Sequence, residues 1–201
     1  MSYSVRPHRK RGVIGAFTAA LPVLLLCALM WIGEAIDTLP GTEFDQNGIY
    51  PRNADGLFGI LLAPFLHVDF AHLIANTTAF LVLGALIAWT TQHFWAATVG
   101  IILFGGFGTW LIAQPFTIHI GASGVVYGYA AFLVTWGVVS RRLLNIVVAI
   151  GVVVAYGGIV WGVLPGQAGV SWQGHLCGAL AGIAMAWWLS RREPKRSFTV
   201  V

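Results

Sequence analysis

The stretch HIGASGVVYG, residues 119 to 128, decides how this sequence is read. It lies in the middle of a strongly apolar chain, and its Gly121-Ala122-Ser123-Gly124 run has the make-up of a turn that presents a nucleophilic serine. The same run carries Gly124 and Gly128, a GxxxG pair that lets two membrane helices pack closely. The GxSxG nucleophile elbow is absent, since Val125 stands where its last glycine would be. Taken alone the stretch leaves both readings open, and the rest of the chain has to weigh them.

Of the 201 residues 58% are hydrophobic and 9% charged, with a mean hydropathy of +0.81. Soluble proteins carry about 25% charged residues, so the composition points to one polytopic membrane domain. The net charge of +4 does not signal nucleic acid, because the basic residues sit in short segments between apolar runs. Cys27 and Cys177 both fall inside apolar runs, which argues against a disulfide framework. No Cys/His cluster suggests a metal site, and no cofactor motif is present.

Six apolar segments approach the roughly 20 residues needed to cross a bilayer: 12–31, 72–90, 94–113, 122–139, 143–164 and 172–190. Residues 12–190 thus form the membrane domain, flanked by a basic amino-terminal segment (1–11) and a basic tail (191–201). The first apolar run is too long for the h-region of a signal peptide and is read as a span. Arg6, Arg9, Lys10 and Arg11 precede the first span, Arg141 and Arg142 separate the fourth and fifth, and Arg191, Arg192, Lys195 and Arg196 follow the sixth. Six spans put all three segments on one side, which the positive-inside rule makes cytoplasmic. Arg52 alone of the eleven basic residues falls in an outside loop, along with Asp37, Glu43, Asp45 and Asp55. The loop between spans 1 and 2 covers residues 33 to 71. Its apolar run, 56–66, is too short to cross and fits an interfacial or re-entrant element, or a plug over the bundle's outer end.

Strongly polar side chains inside a membrane are costly and mark functional candidates. His72 and Asn76 in span 2, Ser123 in span 4 and His175 in span 6 each lie in the first turn or two of an even-numbered span, so they share one side and one depth. His72 and Asn76 are i,i+4 neighbours, as are Ser123 and Tyr127. His175, Gly178 and Gly182 place a histidine at the head of a glycine seam. A serine–histidine hydrogen bond needs helices closer than the usual 8–10 Å, and Gly124, Gly128, Gly178 and Gly182 would permit that. The packing and nucleophile readings therefore support each other. Plainer roles stand beside them: back-bonding for Ser123, helix glue for Asn76, packing for Tyr127, and an interfacial position for His8, His93 and His119.

At these residues the chain resembles the rhomboid intramembrane serine proteases. The pattern is His67-x4-His72-x3-Asn76 opening span 2, Gly121-Ala122-Ser123-Gly124 opening span 4, and Gly174-His175-x2-Gly178-x3-Gly182 in span 6. The resemblance implies an all-α membrane protein, a six-helix rhomboid-like bundle with a long, partly membrane-embedded loop between helices 1 and 2. It implies Ser123 as nucleophile and His175 as general base of a dyad. His72 and Asn76, with the Ser123 N–H, would form the oxyanion hole, and Tyr127 would pack on the catalytic histidine. Gly121, Gly124, Gly178 and Gly182 would support them. Expected substrates are single-pass membrane proteins, cut at small residues near the outer end of an unstable helix; the partners are these and the lipid bilayer, with no nucleic acid. The implied location is the cell membrane, both termini cytoplasmic and the site facing outward.

The chain departs from the pattern in places. The Trp-Arg pair common in the first outside loop of bacterial members is missing from residues 53 to 66, and neither a seventh span nor an accessory domain is expected. No carboxylate is placed to orient His175, and Asp69 lies on another segment. Losing that orienting group costs a serine triad about 10⁴ in rate, so a slow enzyme is expected. The competing readings are a catalytically silent rhomboid-like client-binding protein and a small transporter using His72, Asn76 and His175. A zinc intramembrane protease is weaker still, with no H-E-x-x-H.

Overall fold

The computed structural model describes residues 13–193, and side chains from residue 20 onward. The basic segment 1–11 and the tail beyond residue 193 lie outside the described residues. The elements, in order, are α1 (Val13–Asp37), the short α2 (Gly59–Leu62), α3 (Phe70–Thr90), α4 (Phe94–Ile112), α5 (Ser123–Ser140), α6 (Leu143–Tyr156) and α7 (Trp172–Ser190). A 3₁₀ segment, Gly157–Val163, prolongs α6. Five of the described helices are long and apolar enough to cross a membrane: Ala20–Asp37 within α1, α3, α4, α5, and Leu143–Val163. α7 has the length, at 19 residues, but Gln173, Gly174 and His175 dilute its apolar character. The chain is a multi-pass integral membrane protein.

α5 is the central helix. Tyr129, Phe132, Leu133 and Trp136 on it are fully buried, among Phe80, Leu83 and Ile87 of α3 and Met185 and Ala186 of α7. Thr98 donates to the Phe94 carbonyl, so its oxygen is free to accept the buried Tyr129 hydroxyl at 2.7 Å. Since lipid tails are as apolar as leucine, such packing and hydrogen bonds drive helix association.

Two boundaries differ from the sequence reading. The first span closes not at Trp31 but at Asp37, because Glu34 is buried on the bundle side and does not end the helix. The turn at Thr38–Gly41, where Gly41 takes φ +85°, ends it instead, and the long loop starts there rather than at residue 33. The apolar run 56–66 folds as α2 between 3₁₀ turns at Asp55–Leu57 and Ala63–Phe65. Ile60 sits directly over Gly106 of α4, and Gly59 lies against the Gly48 carbonyl.

α4 is interrupted by a π-helical turn, Ile101–Gly105. Such turns are rare and locally widen the helix. This one brings the bare Cα of Gly105 against Gly178, where a Cβ would come within 3.1 Å of the Gly178 Cα. At the opposite end of the bundle, Glu193 binds Arg142 at 2.9 Å and His93 at 3.4 Å, and His93 stands edge-on to Trp136. His93, read as merely interfacial, helps tie three turns together, and Glu193, in the segment read as a basic tail, anchors them.

Candidate active site

Gly121 makes the turn that starts the site. It adopts φ +105°, which an L side chain rarely takes, and its N–H donates to the Ala63 carbonyl at 2.8 Å. The outer loop thereby holds the backbone two residues ahead of Ser123. Ser123 is the first residue of α5. First-turn N–H groups have no intrahelical acceptor, so those of Ser123 and Gly124 point, with the positive end of the helix dipole, into the space ahead of the helix.

His175 reaches the same space from α7, whose amino terminus is capped by Ser171 accepting the Gly174 N–H at 3.2 Å. The His175 Nε2 lies 2.9 Å from Ser123 Oγ, and its Nδ1 lies 2.9 Å from the Gly162 carbonyl oxygen. A carbonyl only accepts, so Nδ1 carries the proton and Nε2 is left to accept from the Ser123 hydroxyl. A backbone carbonyl thus performs the orienting task for which the sequence offered no carboxylate. Tyr127 stacks on the imidazole, ring centroids 4.0 Å apart and planes 8° from parallel, while its hydroxyl donates to the Ile159 carbonyl at 2.7 Å. The 3₁₀ segment is therefore fastened to the ring pair twice. Gly162 has no room for a side chain: a Cβ there would run into the Tyr127 hydroxyl and come within 3.1 Å of His175 Nδ1.

The glycines of α5 and α7 leave no room for side chains between the two helices. A Cβ at Gly178 would overlap the Gly124 carbonyl, one at Gly182 the Gly128 carbonyl, and one at Gly124 would come within 3.2 Å of the Gly174 carbonyl. α5 and α7 touch backbone to backbone, which the 2.9 Å serine–histidine contact requires.

Residues 54–192 match the Rhomboid domain family. The chain belongs to the rhomboid family. It is 45% identical over 198 residues to an uncharacterized protein of Mycobacterium tuberculosis, covering 93% of this chain and 80% of that one. With an uncharacterized protein of Mycobacterium leprae it shares 43% over 199 residues, 94% and 76% of the two chains. With rhomboid-like protease 5 of Toxoplasma gondii it shares 26% over 179 residues, 73% of this chain and 21% of that one.

In this rhomboid, the other candidates from span 2 converge on the Gly121 turn. A Cβ on Gly121 would lie 2.7 Å from His72 Cε1, 3.0 Å from its Nε2 and 3.7 Å from Asn76 Nδ2. Asp69 caps α3 by accepting the His72 N–H at 2.7 Å. The Asn76 amide gives one N–H to the His72 carbonyl at 3.1 Å and keeps a second to give. His67 is buried, with its ring edge-on to His72 at 5.2 Å between centroids. Burial chiefly, with the neighbouring His72, holds its pKa down at about 4, so it is neutral at physiological pH.

Beside Ser123 opens a cavity of about 50 Å³, lined among others by Ile60, Thr109, His119, Gly124, Ser171 and Gly174. It has room for a few waters, each needing at least 10–15 Å³ measured this way. Of the residues at the start of α7, Ser171 lines it; Trp172 and Gln173 do not. On the far side of Tyr127 an apolar cleft of about 310 Å³ separates α6 from α5 and α7, with Val134, Val152, Tyr156, Val160 and Ile183 in its walls. Sequence reasoning missed Gly162 and Ile159, which act through backbone carbonyls and leave no side-chain signal. It also set aside His119, which is held in this site.

Proposed function

We propose that the chain is an intramembrane serine endopeptidase with Ser123 as nucleophile and His175 as general base. The observation that carries this is the directed chain Ser123 Oγ to His175 Nε2, with Nδ1 fixed by the Gly162 carbonyl. A serine becomes nucleophilic when a base takes its proton as it attacks. Here Oγ would attack the scissile carbonyl carbon while Nε2 takes the hydroxyl proton. The carbonyl oxygen, now negative, would accept N–H groups from Ser123, His72 and Asn76. The C–N bond breaks as Nε2–H returns its proton to the leaving amine. A water from the adjoining cavity then attacks the acyl-serine, with His175 again as base. Gly162 supplies orientation but no charge, so the imidazolium gains less than beside a carboxylate, and turnover is slow.

The name of the Toxoplasma gondii relative supports protease chemistry. The positions of the basic residues support a cell-membrane protein with both termini cytoplasmic and the dyad facing outward, α2 and its flanking turns dipping into the outer leaflet. Substrates are membrane-anchored proteins whose helix unwinds at the depth of the site, since extended backbone at that depth needs a protein cavity. The open cleft beside α6 supports entry along that helix.

Labelling with a fluorophosphonate in mild detergent tests the reading without a known substrate. The expected result is modification of Ser123 in the wild type, and none in Ser123→Ala or His175→Ala at unchanged melting temperature. A folded wild type that stays unlabelled after long incubation would overturn it.

A further inference from the structure

Four hydrogen bonds run from the α7 cap to the loop that leads into Ser123, and their direction can be assigned from the two ends. At one end the Gly174 N–H, a donor only, gives its proton to Ser171 Oγ at 3.2 Å. At the other, the Gln114 carbonyl, an acceptor only, takes the Thr117 hydroxyl proton at 2.6 Å. Between them His119 touches Thr117 Oγ1 through Nε2 at 2.9 Å and Ser171 Oγ through Nδ1 at 2.6 Å. With its own proton committed, Thr117 Oγ1 accepts, so Nε2 carries the ring proton. Nδ1 then accepts the Ser171 hydroxyl. Between the two ends each hydroxyl and the imidazole gives once and takes once, and the chain closes only with a neutral imidazole.

The two ends of this chain belong to the two arms of the dyad. His119 precedes Ser123 by four residues and is pinned to the outer loop by a two-way backbone bridge with Ile49, at 3.0 and 3.1 Å. Ser171 precedes His175 by four residues, and its carbonyl accepts the His175 N–H at 3.0 Å. Below the dyad the glycine seam fixes α5 against α7. Above it, where both helices have ended, nothing but a cross-loop contact can do so, and the 2.6 Å His119–Ser171 bond supplies one.

We infer that His119 and Ser171 are a positioning pair that sets the separation of Ser123 and His175 from the outer side, and that protonation of His119 undoes the clamp. The inference rests on the serine-protease reading above. A proton on Nδ1 leaves that nitrogen nothing to accept with. Ser171 Oγ would then have to accept from both Nδ1–H and Gly174 N–H and find a new acceptor for its own hydrogen. The groups facing His119 are the Thr117 and Ser171 hydroxyls and the backbone of Ile49. Among the described residues, no charged side chain lines the cavity on which it borders. Burial holds its pKa below the ordinary 6.5, so the clamp is intact above that value and is lost as pH falls through the lowered pKa.

The test is the second-order rate of fluorophosphonate labelling at Ser123, measured from pH 4.5 to 8 in mild detergent. In the wild type two protonations, on His175 and on His119, each suppress labelling, so the acid limb is steeper than a slope of one. His119→Asn keeps an acceptor where Nδ1 was but does not titrate. It is expected to retain most of the rate at pH 8 and to show a slope of one. His119→Leu removes the acceptor and is expected to lose about tenfold at pH 8, as befits one lost hydrogen bond, a deficit that narrows as acid undoes the clamp in the wild type. A limb as steep as the wild type's persisting in His119→Asn, or an unchanged rate in a folded His119→Leu, would overturn the pair's role while leaving the protease reading intact. Should His119→Leu fail to fold, the slope in His119→Asn decides alone. A wild type that never labels removes both.

Discussion

Along α7, Gly178 and Gly182 meet the carbonyls of α5 so closely that no Cβ fits. Along α6, another neighbour of α5, Gly151 faces open space, while at Gly137 a Cβ would meet Ala149 and the Asn145 carbonyl. Beyond that point the α5–α6 contact gives way to the apolar cleft. The difference follows from what each pair carries. α5 and α7 hold the two side chains of the proposed dyad, whose hydrogen bond tolerates only tenths of an ångström. α6 carries neither of them, and only the 3₁₀ segment at its end reaches the pair. Rigidity is therefore built where the proposed proton transfer would require it, while the helix beside the cleft stays loosely held.

The largest break in this comparison is expected from Gly178→Val. Its Cβ collides with backbone that cannot move aside, at a cost of about 3 kcal/mol. That lowers the melting temperature in detergent by roughly 10 °C and abolishes labelling of Ser123. Wild-type melting in this variant would mean that the seam is not rigid. Next comes Gly162→Ala, which pushes on the Tyr127 hydroxyl and tilts the carbonyl away from His175 Nδ1. We expect a labelling rate down about 100-fold, a misplacement penalty of the usual size, with melting within a few degrees of wild type. Equal rates would show that the ring holds its tautomer unaided. Smallest is Gly151→Ala, on the loosely held side. Alanine is a better helix former by up to about 1 kcal/mol and meets nothing here, so thermal stability rises slightly and labelling is unchanged; a loss of either would place an unseen contact on that face.

Much of the site was legible because a membrane makes polarity conspicuous. Ser123, His175, His72 and Asn76 stand out against apolar spans, and their common level followed from counting residues and alternating helix direction. The glycines of α5 and α7 were legible for the same reason, as a periodic absence of side chains. What escaped was carried by the backbone. Gly162 is one of 25 glycines, and nothing in its letter says that its carbonyl will face a histidine thirteen residues on. His119 looked interfacial because its partner Ser171 is 52 residues away, on a loop whose course no periodicity describes. The end of α1 was placed too early, at Trp31, because the apolar run stops short of Glu34, whereas the fold buries that carboxylate and carries the helix on to Asp37.

The π turn of α4 gives chain length a meaning that composition does not have. A wide turn of this kind takes up one residue more than an α-helix of the same rise while leaving the faces on either side aligned. Removing a residue from Ile101–Gly105 would let the helix run regularly with both halves still facing their present neighbours. Removing one a turn later, at Phe107, would spin the end of the helix by about 100°, carrying Trp110 off the Asn53 carbonyl it now binds at 2.8 Å. α4 thus holds a spare residue at the level of Gly178, the one stretch of the helix where a codon could be lost without turning a face.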